Sequence, residues 1–201
     1  MGIGVKRVRL LGICGLLGGI LALIAILLEG DTFGFPGSAA YQLYEAFNRF
    51  MAVFLALQTC SFSAFYITQN EMLGKSGRRL TKLALVAWIA MAIGTAAEFW
   101  LFSDLPYPNS PADFNMRTVA FALFFFGSLA AGVVLVVLGL RLFRNGGLLR
   151  LLSATLILYL PLFFAAFFSG FSIFIAPAAT SIGIAAFALK SSSGSTSSII
   201  G

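Results

Sequence analysis

Long uncharged apolar runs alternate with short polar segments along the whole chain. A bilayer core of about 30 Å requires about 20 apolar residues for each helix that crosses it. Runs of this kind occupy residues 10–28, 50–67 and 118–140, and a similar run at 83–102 contains one charged residue, Glu98. The stretch between Arg150 and Lys190 is also uncharged, and its length suits two helices, 151–168 and 171–189, joined by a tight turn at residues 168–172.

The pattern predicts an all-α membrane protein, a six-transmembrane-helix bundle with short loops. Five spans are the fallback if the turn at residues 168–172 does not form. The six-span pattern predicts a single transmembrane helical domain at residues 1–190 and a Ser-rich tail at residues 191–201 that we expect to be flexible.

The composition agrees with this class of protein. Apolar residues make up 60% of the chain and charged residues 10%, against roughly 45–50% and 25% in an average soluble domain. The mean hydropathy of +0.99 excludes a soluble core with a polar surface.

The distribution of basic residues predicts the orientation. Cytoplasmic loops of membrane proteins carry an excess of Lys and Arg. With a cytoplasmic N-terminus, only Arg49 and Arg117 of the 13 basic residues lie on the outer side. We therefore predict this orientation in a bacterial or archaeal cytoplasmic (inner) membrane, with anionic lipid headgroups attracted to the basic side.

Local signals refine the helices. A turn is expected at residues 34–37, followed by Ser38 as the N-cap of a helix that leads into the second span. Pro161 and Pro177 are each expected to kink the helix that contains them, because proline lacks the backbone N–H.

The sequence lacks the residues and motifs that several kinds of catalysis and ligand binding require. The chain lacks histidine, its cysteines Cys14 and Cys60 are far apart in sequence, and it has no phosphate-binding or dinucleotide-binding glycine motif. The sequence therefore predicts no catalytic site, no metal, no cofactor and no nucleic-acid partner.

Charged residues near the outer membrane surface form the candidate polar site. Glu98 lies inside the third span, where an ionisable group costs about 2.5–3.5 kcal/mol at the helix centre. Arg49 and Arg117 begin the second and fourth spans at similar depth, and Glu45 precedes Arg49 by four residues. The cluster is consistent with an interhelical salt bridge, with a substrate or proton site, or with side chains that reach water.

Gln58 is the fifth candidate residue, near the middle of the second span. Its amide requires a hydrogen-bond partner there, either from a neighbouring helix or from a permeating solute. Small residues at four-residue spacing, such as Gly15 and Gly19, predict close contacts between helices, within the bundle or between subunits.

Two classes of function remain open, with a third beside them. The first is a non-enzymatic accessory or scaffold subunit that binds other membrane subunits through Phe-rich and small-residue faces. The second is a small-solute or ion transporter or channel, with Glu98, Arg49 and Gln58 along the path. The third is a lipid or hydrophobic-cofactor binding protein, for which the 22 Phe residues suffice. We favour the first because the polar groups are few and shallow, whereas a conduction path requires polar groups throughout the membrane depth.

Overall fold

The structure is a computed structural model that describes residues 3–29, 38–69, 73–102, 111–143, 147–169 and 171–194. Every regular element within these ranges is helical. The helices are α1 (Ile3–Glu29), α2 (Ala39–Gln69), α3 (Gly74–Ala96), α4 (Pro111–Leu142), α5 (Gly147–Ile157), α6 (Tyr159–Ser169) and α7 (Ile175–Gly194). A five-residue π-helical turn, Ala97–Leu101, directly follows α3.

Six helical segments are long and apolar enough to cross a membrane. They are Gly4–Leu28, Tyr41–Thr68, Gly74–Leu101, Asn115–Leu142, Leu149–Ser169 and Ile175–Ser192, the fifth being α5 and α6 together. The prediction of an all-helical protein with six spans is confirmed, and the protein is a multi-pass membrane protein.

Helices α1 and α7 pack antiparallel to each other. Gly12 of α1 faces Leu189 of α7, whereas Gly19, further along α1, faces Ala178, nearer the start of α7. The first residues of α1 and the last of α7 therefore lie at the same end of the bundle. We call this the basic end, because it carries most of the described cations: Lys6, Arg7, Arg9, Lys75, Arg78, Arg79, Lys82, Arg141, Arg150 and Lys190.

Glycines allow the backbones to approach closely. A Cβ atom added at Gly94 of α3 would lie 2.6 Å from the backbone nitrogen of Phe124 in α4. A Cβ atom at Gly15 of α1 would collide with Ser61 of α2. Since lipid is as apolar as the side chains, such van der Waals packing, rather than burial from water, holds helices together in a membrane. The small residues at these positions thus serve contacts within the bundle.

Aromatic side chains fill the centre of the bundle. Trp88 of α3 is fully buried, with its ring centroid 4.6 Å from that of Phe62 and 5.8 Å from that of Tyr159. The Phe run of α4 is divided between core and surface, because Phe124 is buried whereas Phe126 is 65% exposed. Only part of the run Phe124–Phe126 is therefore available to contact lipid or another subunit.

The two prolines differ in effect. Pro161 separates α5 from α6 at Leu158, since it has no N–H to donate to the carbonyl of Ile157. The backbone bonds on either side, from Leu158 to Ala154 and from Leu162 to Leu158, are 2.9 and 3.0 Å long. The expected kink at Pro177 is wrong: this residue lies in the first turn of α7, where the N–H has no partner within the helix.

A break separates the last two spans where the turn is predicted, although Gly170 within that turn lies outside the described residues. Helix α6 ends at Ser169 and α7 begins at Ile175, whose N–H bonds to the carbonyl of Ser172 at 3.2 Å. Helix α7 also continues through residues 191–194, the first part of the predicted flexible tail. Residues 195–201 lie outside the described residues, as do the connecting segments 30–37, 103–110 and 144–146, including the turn expected at 34–37.

Several helices are longer than the predicted spans. Helix α2 begins at Ala39, as the cap at Ser38 predicted, well before the apolar run at 50–67, and α4 begins at Pro111 rather than at residue 118. The prediction ended the spans at charged residues, whereas the helices continue through them. Ser38 caps α2 as predicted, its hydroxyl accepting the N–H of Tyr41 at 3.1 Å.

Candidate functional site

The polar site lies at the end of the bundle opposite the basic end, where α2, α3 and α4 meet. Tyr41, Glu45 and Arg49 follow one another at four-residue spacing and share one face of α2. The capped start of α2 extends this face beyond the apolar run. The π-helical turn after α3 supplies Glu98, and the beginning of α4 supplies Arg117.

Arg117 is the centre of the site. Its Nη1 donates to the Tyr41 hydroxyl at 3.0 Å, and its Nη2 donates to Glu45 Oε1 at 3.1 Å. Its Nε lies 4.0 Å from Glu98 Oε1, and the guanidinium carbon is 5.5 Å from the centroid of the Phe99 ring. The planar fork of a guanidinium suits several acceptors at once, so Arg117 joins α4 both to α2 and to the end of α3.

Arg49 forms the outer side of the site. Its Nη2 lies 3.9 Å from Glu45 Oε2, and its Nε donates to the carbonyl of Phe99 at 2.9 Å. In return, the indole N–H of Trp100 donates to the carbonyl of Arg49 at 3.1 Å. These reciprocal bonds fasten the π-helical turn to α2.

The burial of the four charged side chains differs. The side chains of Glu45, Glu98 and Arg117 are only 12–13% exposed, whereas that of Arg49 is 36% exposed. Two carboxylates and two guanidinium groups give the site no formal net charge. Glu45 bridges the two arginines, and its two oxygens point to different cations.

The π-helical turn places Glu98 and Trp100 differently from a regular helix. The N–H of Phe102 bonds to the carbonyl of Ala97 at 3.2 Å, five residues back instead of four. The wider turn adds a residue before the chain leaves the helix, and Glu98 lies near Arg117 while Trp100 reaches α2. Turns of this kind often occur where side chains require a special orientation.

The structure brings together Glu45, Arg49, Glu98 and Arg117 but not Gln58. Gln58 follows Arg49 by nine residues, about 14 Å further along α2. It is buried, and its Nε2 donates to the Gly18 carbonyl of α1 at 3.4 Å. Gln58 therefore contributes a bond between α1 and α2 and is separate from the charged site.

A second polar contact, which the sequence analysis missed, joins three helices. The Ser181 hydroxyl of α7 donates to the Gly15 carbonyl of α1 at 3.1 Å. The Ser61 hydroxyl of α2 lies 2.8 Å from the Ser181 hydroxyl, so Ser61 is the donor of that pair. Ser61 is one of several small polar residues in the second span, and nothing in the sequence pairs it with Ser181. Tyr41 was also missed, although its spacing from Glu45 and Arg49 was visible.

Four buried polar atoms have no hydrogen-bond partner among the residues that the structure describes. They are Gln58 Oε1, Trp88 Nε1, Ser128 Oγ and Thr180 Oγ1. Three of them lie about 14–17 Å deeper than the charged site, as counted along α2, α3 and α4. Polar groups thus extend further into the membrane than the sequence analysis assumed.

The described residues contain no group of three or more His, Cys, Asp or Glu side chains that could hold a metal ion. Cys14 and Cys60 are both free thiols. Two surface cavities lie between helices: a basic one of about 340 Å³ near the basic end, and an apolar one of about 500 Å³ that reaches Trp100 beside the charged site. Neither is lined by Glu45, Glu98 or Arg117.

Comparisons with protein-family models, with curated proteins and with solved structures found no match for this chain. The fold and the site together define a class, a six-span helical membrane protein with a charge-neutral polar cluster at one end of the bundle.

Proposed function

We propose that the protein is a non-enzymatic accessory or scaffold subunit that packs against a larger membrane complex. The observation that supports this function is the pairing within the charged site. Arg117 bonds to Tyr41 and Glu45 and lies close to Glu98, so the buried charges hold α2, α3 and α4 together. Charges used in this way stabilise a rigid bundle that can support neighbouring subunits.

An aromatic surface offers a place for the neighbouring subunit. On α6 the rings of Phe164 and Phe168 stack with centroids 6.3 Å apart, and the Phe167 ring lies tilted against Phe125 of α4 at 5.6 Å. Phe168 is 80% exposed. Interfaces favour aromatic residues because they give a large contact area at little cost in side-chain entropy. We call this surface, formed by Phe164, Phe167 and Phe168, the aromatic ridge.

Purification in mild detergent from the native membrane, followed by mass spectrometry, tests the proposal. We expect a stoichiometric membrane assembly with the unchanged chain and its loss with Phe164→Ala/Phe168→Ala. The matched control is Leu27→Ala/Leu28→Ala, which shortens two exposed apolar side chains of α1 away from the aromatic ridge. Recovery of the chain alone, or equal loss with both double variants, would contradict the proposal.

The proposal includes the location and the orientation. We infer a bacterial or archaeal cytoplasmic membrane, with the basic end in the cytoplasm, on the strength of the charge distribution. Reporter fusions before residue 3 and after Gly194 provide the test. Both reporters should be active only on the cytoplasmic side, since the two helix ends lie together, and a periplasmic signal from either would overturn the assignment.

A transporter or channel is the second candidate function. The observation that favours it is the set of unpartnered polar atoms below the charged site, on Gln58, Trp88 and Ser128. Packing argues against it, because Phe62 and Phe124 are almost fully buried beside them. In this alternative, Glu98→Gln abolishes solute flux into liposomes while the helical content is retained. In the accessory role, no flux depends on Glu98.

A further inference from the structure

A groove between α2 and α3 opens at the basic end of the bundle. The cavity of about 340 Å³ is lined by polar and apolar side chains of three helices, which are Arg7, Ser63, Tyr66, Ile67, Thr81, Lys82 and Leu85. We call it the basic groove. Its cations come from different helices, Arg7 from α1 and Lys82 from α3, so the fold, and not a run of charges in sequence, brings them to one cavity.

The electrostatics of the basic groove favour an anion. The ammonium group of Lys82 lies 5.5 Å from the centroid of the Tyr66 ring, and both Arg7 and Lys82 are exposed. The carboxylates that the structure describes, on Glu45 and Glu98, lie at the opposite end of the bundle. The hydroxyl hydrogens of Ser63 and Thr81 are used by carbonyls of their own helices, at 3.2 and 3.0 Å. The groups offered to a ligand are therefore the two cations and the Tyr66 hydroxyl.

An apolar groove continues along the same two helices. The cavity of about 500 Å³ is lined by Ala52, Val53, Ala56, Thr59, Ile89, Ala92, Ile93, Ala96 and Trp100. On α2, Ala56 and Thr59 are followed by Ser63 and Tyr66 at spacings of three and four residues, which keep to one helix face. On α3, the same holds for the steps from Lys82 to Leu85, Ile89 and Ala92. The alanines remove side-chain volume and leave a channel-like depression open to lipid.

We propose that the basic groove binds the phosphate headgroup of an anionic phospholipid, with one acyl chain lying in the apolar groove. A phosphate between Arg7 and Lys82 would supply the negative charge that balances these two cations. Basic pockets between transmembrane helices bind anionic headgroups in this way. The apolar continuation argues for a lipid rather than a free anion, because only a lipid fills both cavities. The proposal is independent of the accessory function, which depends on the aromatic ridge of α6.

Native mass spectrometry of the full chain in detergent, titrated with phosphatidylglycerol or phosphatidylcholine, tests the proposal. We expect tighter binding of phosphatidylglycerol. Arg7→Gln/Lys82→Gln should weaken that binding by about 25-fold, at about fivefold for each surface-proximal charge. The matched control, Lys75→Gln/Lys190→Gln, removes the same charge from the same end but from residues that do not line the groove, and we expect less than a fivefold change.

Two further measurements separate the possible ligands. Ala56→Phe/Ala92→Phe fills the apolar groove and should weaken phosphatidylglycerol binding while the helical circular dichroism is unchanged. Inorganic phosphate and glycerol phosphate should fail to displace the lipid at equal concentration. Displacement by either compound would contradict the proposal that the ligand is a lipid and would indicate a site for a free anion. The proposal would also be overturned if the Arg7/Lys82 and Lys75/Lys190 variants lost phosphatidylglycerol binding equally, or if phosphatidylglycerol bound no more tightly than phosphatidylcholine. Either result would mean that the general positive charge of the surface explains the binding.

Discussion

Replacing Arg117 by methionine tests whether the charged site holds the bundle together. Methionine keeps a long unbranched side chain but removes all the donors. The variant Arg117→Met loses the bonds to Tyr41 and Glu45 and leaves Glu98 without the only ion pair recorded for it among the described residues. We expect a large loss of stability, since two buried carboxylates lose a cation.

The structure sets the magnitude. At 3.1 Å and an effective dielectric constant of about 20, the Arg117–Glu45 attraction is about 5 kcal/mol before desolvation. Breaking buried pairs by removing one partner costs about 3–5 kcal/mol. We therefore expect Arg117→Met to lower the free energy of unfolding by about 3–5 kcal/mol. In a Glu45→Gln background this cost should fall by about 1–2 kcal/mol, because the main partner is already neutral.

Unfolding in mixed micelles by titration with dodecyl sulfate, followed by circular dichroism, measures these differences. The control is Arg49→Met, which removes the same kind of side chain from the same site. Arg49 is 36% exposed and its ion pair is 3.9 Å long, so its loss should cost about 1–2 kcal/mol, mostly from the bond to Phe99. Equal costs for Arg49→Met and Arg117→Met, or no coupling between Arg117 and Glu45, would refute the reasoning.

Three other changes probe the packing of the bundle. Gly94→Val should destabilise the fold by at least about 3 kcal/mol, because the new side chain meets the backbone of α4, whereas Gly4→Val, with nothing within 4 Å, should have little effect in the same titration. Ser61→Ala should cost about 1 kcal/mol of unfolding free energy, since Ser181 keeps its bond to α1; a cost above 3 kcal/mol would indicate a further partner. Pro161→Ala should restore the missing helix bond, and hydrogen exchange of the amide at this position should become slow; exchange as fast as in a loop would mean that the break has another cause.

The spans and the charged site were predictable because their signals are local. Apolar runs identified the helices, and buried charge in an apolar helix requires a nearby opposite charge, which left few partners for Glu98. Ser38 was recognisable as a cap from its position before the helix. Other helix ends were less accurate, because a helix such as α4 begins at Pro111, outside the apolar run, and passes the charged Arg117.

The remaining contacts depend on how each helix is rotated about its axis. The bond between Ser61 and Ser181 joins residues 120 positions apart. It could not be predicted, because a serine in an apolar span looks like any other small residue in the sequence. The π-helical turn at Ala97–Leu101 has no residue signature and yet determines where Glu98 and Trp100 lie. Gln58 was grouped with the charged residues by polarity alone, whereas depth along α2 separates it from them.

The contact between α1 and α7 has a consequence for biosynthesis. The bond from Ser181 to Gly15 spans 166 residues, so α1 is not fully packed until α7 has been synthesised. Before α7 is inserted, the glycine face of α1 that receives it stays open to lipid or to other chains. A protein released before α7 is complete would therefore display the surface of Gly12 and Gly19, a feature by which membrane proteases could recognise unfinished chains.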